Sequence, residues 1–186
     1  MDQAQLVPFV VVLLASLITT VTDVWKFKIY NAQTVPLLLS GLAYHSAVGG
    51  MPGFRASLLG ALFGFSVLLV FYVMGGMGAG DVKLMAAVGA WLGLPLTFYL
   101  FIASSLAAGA YSLVLLVLGH SLVETWNNFQ ILWLRIVVIG RHLGTGQRVE
   151  AEIHRSDRRL RVVPFAAMVM IGSVTLLVLY WPHLSH

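Results

Sequence analysis

The sequence has no cysteine and very little charge: of 186 residues, seven are Asp or Glu and eleven are Lys or Arg, 10% in all. Without cysteine there is no disulfide framework, no thiolate zinc site and no cysteine nucleophile. The scarcity of charge excludes more. A soluble domain carries about 25% charged and about 45–50% apolar residues, whereas here 59% are hydrophobic and the mean hydropathy is +0.91. A chain of this length has too little interior to hide that much apolar surface from water, so lipid is the expected solvent. A water-soluble domain, a disordered tail and a low-complexity polymer are thereby set aside. The net charge of +4 and pI near 9.7 would suggest nucleic acid in a soluble protein. In a membrane protein, basic residues gather on the cytoplasmic face instead, and no nucleic-acid partner is expected.

A bilayer core of ~30 Å needs about 20 mostly apolar residues per helix. That ruler predicts an all-α membrane protein, one polytopic domain built as a bundle of six transmembrane helices: Val7–Thr22, Gln33–Val48, Ala56–Met74, Val82–Leu94, Leu96–Leu118 and Val162–Trp181. Gly93 and Pro95 separate the fourth from the fifth, which are expected to form a hairpin. Met1-Asp2-Gln3 lacks the basic region and cleavage site of a secretory signal, so the first span is expected to be retained. An N-out, C-out orientation puts Lys26, Lys28, Lys83 and seven Arg of the 119–161 loop inside and leaves Arg55 outside, in keeping with the positive-inside rule. Within that loop Ile131–Ile139 is apolar but interrupted by Arg135 and flanked by Trp126 and Trp133. This suits an amphipathic helix lying in the cytoplasmic interface. Gly60-xxx-Gly64 and Gly89-xxx-Gly93 are small-residue pairs that let helices approach closely.

Acidic residues in or beside spans are costly and therefore informative. Asp2 is terminal, and Glu124, Glu150, Glu152 and Asp157 lie among the Arg of the loop. Asp23 and Asp81 remain, each at the cytoplasmic end of a span and so at one depth. Taken singly, Asp23 could be an interfacial residue neutralised by Lys26, and Asp81 a helix cap. The surroundings of Asp81 point further: Gly75-Gly76-Met77-Gly78-Ala79-Gly80-Asp81-Val82-Lys83 is a backbone that side chains do not crowd. As a P-loop it fails, because Asp81 stands where Lys is required. As a dinucleotide fingerprint it fails too, with Asp81 in place of the third Gly and no strand before it. A glycine hinge presenting a carboxylate beside a substrate backbone fits. Two carboxylates in a half-wet, low-dielectric site cannot both ionise cheaply. One would stay charged and activate water while the protonated other polarises a peptide carbonyl. This acid–base hydrolysis requires no metal or cofactor; Lys83, two residues beyond Asp81, could tune the ionisation, and the positive-inside bias accounts for it equally well.

At Asp23 and Gly78-Ala79-Gly80-Asp81 the sequence resembles the GxGD membrane aspartic proteases, and within them the bacterial prepilin peptidase family. The likeness runs on through Gly80-Asp81-Val82-Lys83-Leu84. After the first Asp the family usually shows Arg-x-Ile-Pro-Asn; here Lys26-Phe27-Lys28-Ile29-Tyr30-Asn31 keeps the Ile and Asn, with Lys for Arg and Tyr30 for Pro. Val163-Pro164-Phe165-Ala166 is similar to the opening of the family's last helix. The resemblance implies Asp23 and Asp81 as catalytic residues, with Gly78, Gly80 and Lys83 supporting them. It further implies a bacterial inner-membrane location, a prepilin substrate with a basic leader before a hydrophobic helix, and pilus assembly proteins as further partners. Larger members carry a cytoplasmic insert with paired CxxC zinc ligands and also N-methylate the new pilin terminus. With no Cys and a short connection after Asp23, this chain resembles the peptidase-only form associated with tight-adherence (Flp) pilus systems.

Other readings remain beside this one. Presenilin-like GxGD proteases carry their first Asp within a helix, commonly after Tyr, whereas Thr22-Asp23 precedes basic residues; preflagellin peptidases share the GxGD motif. A rhomboid-type serine site would need Gly two residues before its Ser, and Ser40-Gly41 has Leu38 there. The six His form no HExxH pattern. A transporter or assembly scaffold would use the two Asp as proton relays or partners of Lys, and would be expected to hold them near the bilayer midplane.

Overall fold

The computed structural model describes residues 3–26, 29–73, 77–117 and 165–184. The expected interfacial helix and Arg-rich loop at 119–161, and the glycines at 75 and 76, lie outside the described residues. Four helices account for nearly all of the described chain: α1 (Gln3–Lys26), α2 (Asn31–Val73), α3 (Ala79–Val117) and α4 (Phe165–Leu184). Among the described residues there is no strand. Three of these helices are long and apolar enough to cross a membrane, and a shorter apolar stretch covers Phe165–Leu179. Residues 1–109 and 164–186 form one compact unit, which holds everything discussed below; residues 110–163 form a second.

α2 and α3 are each broken once, at the same short pattern. Gly50 (φ 57°, ψ −143°) and Gly93 (φ 71°, ψ 173°) have left-handed φ angles that a side chain would strain. Each is followed two residues on by Pro, Pro52 and Pro95, whose fixed φ and missing N–H suit the first turn of a new helix. Both breaks are reversals. Gly53 approaches the backbone of His45 closely enough that an added Cβ would collide with the His45 carbonyl oxygen; eight residues along a straight helix the gap would be ~12 Å. In an unbroken α3, Ser104 would lie ~35 Å beyond Asp81. Instead it packs on Gly172, which is only six residues, ~9 Å of helix, past Ala166, and Ala166 bonds Asp23 beside Asp81. The break expected at Gly93 is thus present. The one at Gly50 falls within the connection expected between Val48 and Ala56 and shortens it, because an apolar helix end that continues through Gly-Met-Pro carries no hydropathy signal.

Glycine contacts hold the reversed arms together. Gly60 faces Gly89 and Gly93, and Gly64 faces the Met85 carbonyl, so the second arm of α2 runs antiparallel to the first arm of α3 with their backbones touching. A reversal frees carbonyls that have no helical donor, and in lipid each would cost several kcal/mol. Pro95 has no N–H to offer Trp91, and His45 Nε2 meets the Trp91 carbonyl at 2.8 Å. A carbonyl oxygen only accepts, so this nitrogen carries the proton. The Gly93 break likewise exposes the Ala90 carbonyl, which accepts from Ser57 Oγ at 2.6 Å. Trp91 is itself fixed, its Nε1 donating to the Leu37 carbonyl at 2.8 Å and its ring stacking on Tyr44.

Candidate active site

The buried face of α1 is a stripe at helical spacing, Phe9, Val12, Ser16, Thr19 and Asp23, laid mainly against α4. Its hydroxyls are satisfied within the helix: Ser16 donates to the Leu13 carbonyl and Thr19 to the Ala15 carbonyl. Asp23 ends the stripe, only 8% exposed, two residues before Trp25, which is 81% exposed. Its carboxylate accepts the backbone N–H of Ala166 in the first turn of α4. That N–H has no acceptor inside its own helix, and the positive end of the α4 dipole favours a carboxylate there.

Asp81 sits three residues after Gly78, the residue that caps α3. Its Oδ2 accepts the Gly78 N–H at 3.1 Å, while its own N–H donates to the Gly78 carbonyl at 3.2 Å. This is one half of a capping box, the third-residue carboxylate reaching back to the N-cap N–H with Asp in the position of the usual Glu; Gly78 has no side chain for the other half, and its backbone carbonyl takes the Asp81 N–H instead. It puts the second carboxylate at the start of a helix as well, near enough to Asp23 for the charge of one to act on the other. The capping role weighed for Asp81 is therefore present, and it leaves the carboxylate within electrostatic reach of Asp23.

The glycines around Asp81 serve different neighbours. A Cβ on Gly78 would lie 3.2 Å from Asp81 Oδ2, and one on Gly80 would lie 2.8 Å from the Cβ of Ile29. Lys83 Nζ donates to Asn31 Oδ1 at 2.9 Å. The segment after α1 and the segment opening α3 thus meet at two places, Ile29 with Gly80 and Asn31 with Lys83, and Asp23 at the end of α1 lies within electrostatic reach of Asp81. Two features escaped the sequence reading. The Ala166 N–H is a backbone group with no side-chain signal, although Val163-Pro164-Phe165-Ala166 had marked the region. Thr34, one turn beyond Asn31 and 3% exposed, buries a hydroxyl that has no hydrogen-bond partner among the described residues. Among those residues no three His, Asp or Glu side chains converge as metal ligands would.

The described residues combine apolar helices long enough to cross a membrane with two carboxylates at helix ends, each bonded to a backbone N–H. Residues 10–113 match the model of the Type IV leader peptidase family, and the chain belongs to that family. It is 34% identical over 108 residues to the Prepilin leader peptidase/N-methyltransferase of Aeromonas salmonicida, covering 54% of this chain and 37% of that protein. It is 32% identical over 118 residues to the protein of that name from Bacillus subtilis, covering 62% and 47%. Leader peptidase HopD of Salmonella typhimurium is 34% identical over 115 residues, covering 57% of this chain and 73% of HopD. The match thus spans less than half of the two larger relatives. No solved structure matches.

Proposed function

We propose that this chain is a membrane-embedded aspartic endopeptidase that removes the leader of prepilins at the cytoplasmic face of the bacterial inner membrane. The observation that carries the proposal is the meeting of Asp23 and Asp81 at the ends of separate helices, each carboxylate held by a backbone N–H. Family membership and the printed names of the relatives support a prepilin leader as substrate. The two reversals support six crossings, and the charge asymmetry supports an N-out, C-out arrangement surrounded by lipid.

The chemistry follows from the pair. The ionised carboxylate takes a proton from water as the water oxygen attacks the scissile carbonyl carbon. The neutral carboxyl gives its proton to the carbonyl oxygen. As the tetrahedral intermediate collapses, the first carboxyl passes its proton to the leaving nitrogen and the C–N bond breaks. The intermediate's hydroxyl proton returns to the second carboxylate, restoring the starting state. Hydrogen bonds from Ala166 and Gly78 aim the carboxylates and shorten the search for this geometry.

No methyl transfer is proposed for the residues present: the connection from Lys26 to Asn31 is too short for a zinc-bearing insert, and these residues include no Cys to ligate zinc. The Flp-type pilus systems are the proposed setting. The test is co-expression with a candidate prepilin, followed by mass measurement of its N-terminus. Wild type should shorten the pilin by its leader and add no methyl group, and Asp81→Asn should leave the leader on. Equal leader removal by both would reject the aspartic mechanism, and a methylated product would reject the peptidase-only reading.

A further inference from the structure

α1 carries Asp23 and α3 carries Asp81, and the separation of the two helix ends decides whether one water can touch both carboxylates. The chain leaves α1 at Lys26 and enters α2 at Asn31. Across that short connection Ile29 lies flat on Gly80, the residue before Asp81. The Tyr30 carbonyl accepts the N–H groups of Gln33 and Thr34 at 3.0 and 3.3 Å, tying the connection to the first turn of α2. Asn31 Oδ1 then takes the Lys83 ammonium at 2.9 Å. Side chains two apart on a helix leave it about 200° apart. Asp81 can therefore face Asp23 while Lys83 reaches round to Asn31.

Resting on the aspartic peptidase reading, we infer that residues 29–31 are a strap that sets the spacing of the two carboxylates, with Asn31 and Lys83 as positioning residues that touch neither the substrate nor the attacking water. Both are exposed, and an exposed hydrogen bond adds little to stability. Its loss loosens the α3 end without unfolding the chain. A misplacement of ~1 Å costs a reaction roughly 100-fold, and a loosened tether that samples the right spacing part of the time costs about tenfold in kcat.

The experiment compares wild type with Asn31→Ala, Lys83→Met, the double variant Asn31→Ala/Lys83→Met, and the exchange Asn31→Lys/Lys83→Asn, which reverses donor and acceptor. Two readouts are taken: cleavage kinetics on a synthetic prepilin, and the distance distribution between spin labels on cysteines placed at the exposed Ala32 and Ala79, in a chain with no other cysteine. Each single variant should lower kcat about tenfold with KM and the pH–rate profile unchanged. The double variant should be no worse than either single, and the exchange should recover most of the rate. The label distances should broaden in the single variants and narrow again in the exchange. Multiplying defects, a pH profile shifted by Lys83→Met, or an exchange as poor as the singles would show Lys83 acting directly and overturn the strap. Label distances unmoved by either single variant would overturn it as well. A wild type that does not cleave would sink the peptidase reading instead, and the label distances would still decide the strap.

Discussion

Gly80→Ala is the substitution for which the structure gives the sharpest expectation. The added methyl carbon would lie 2.8 Å from the Ile29 Cβ, where two carbons rest at ~3.5–4.0 Å. The neighbour is a branch point attached directly to backbone, so no rotamer change relieves the overlap, and the two segments must part by about 1 Å. Overpacking of this kind costs about 1–3 kcal/mol of stability. The displaced atoms lie next to Asp81, and a shift of that size in a reacting group costs about 100-fold in rate. Gly78→Ala is the internal control. Its methyl would meet Asp81 Oδ2 at 3.2 Å, the far end of a side chain that can yield by a few tenths of an ångström, so its rate loss should stay near tenfold. The assay is kcat on a synthetic prepilin in detergent or nanodiscs, with thermal unfolding of each variant alongside. Gly80→Ala cleaving as fast as Gly78→Ala, while both remain folded, would refute the claim that Ile29 and Gly80 fix the register of the site.

Ser57→Ala should lower thermal stability by about 1–3 kcal/mol, because it strands the buried Ala90 carbonyl at the Gly93 reversal; cleavage per folded molecule should persist, and an unchanged melting temperature would argue against the capping role. Gly60→Leu should disrupt the bundle more than either, since even one carbon there collides with the Gly89 carbonyl oxygen, and loss of monodisperse protein on size exclusion is the readout. Thr34→Val replaces a buried hydroxyl that lacks a partner with a methyl of similar size. It should raise stability by about 1 kcal/mol and leave the rate alone; a fall in kcat at constant stability would mean that the hydroxyl meets the substrate.

The sequence exposes the two carboxylates because charge is so scarce: with five of the seven acidic residues terminal or in the Arg-rich loop, Asp23 and Asp81 stand out. The close helix contacts are also legible, since Gly60, Gly64 and Gly89 do meet backbone, and Gly93 with Pro95 marks a reversal that hydropathy alone would blur. The matching reversal at Gly50 is visible only once Gly-Met-Pro is set beside Gly-Leu-Pro, because the apolar run does not pause there. What no single-chain pattern carries is pairing across helices. Ser57 and His45 look like polar residues in a span until the Ala90 and Trp91 carbonyls they cover are located. The donor to Asp23 is an amide, and every residue but proline has one. Asn31 and Lys83 carry ordinary polar side chains whose relation exists only in the fold.

The most direct measurement is the single-turnover cleavage rate of a synthetic prepilin by purified, reconstituted Asp23→Asn and Asp81→Asn, each checked for wild-type thermal unfolding. Asn keeps the size and the ability to accept the Ala166 or Gly78 N–H, but it neither takes a proton from water nor supplies an acidic one. Each variant should therefore lose at least about 1,000-fold in rate while remaining folded, with general acid–base transfer contributing about 100- to 10,000-fold. Either variant, folded and cleaving within about tenfold of wild type, would contradict a site in which both carboxylates act on one water.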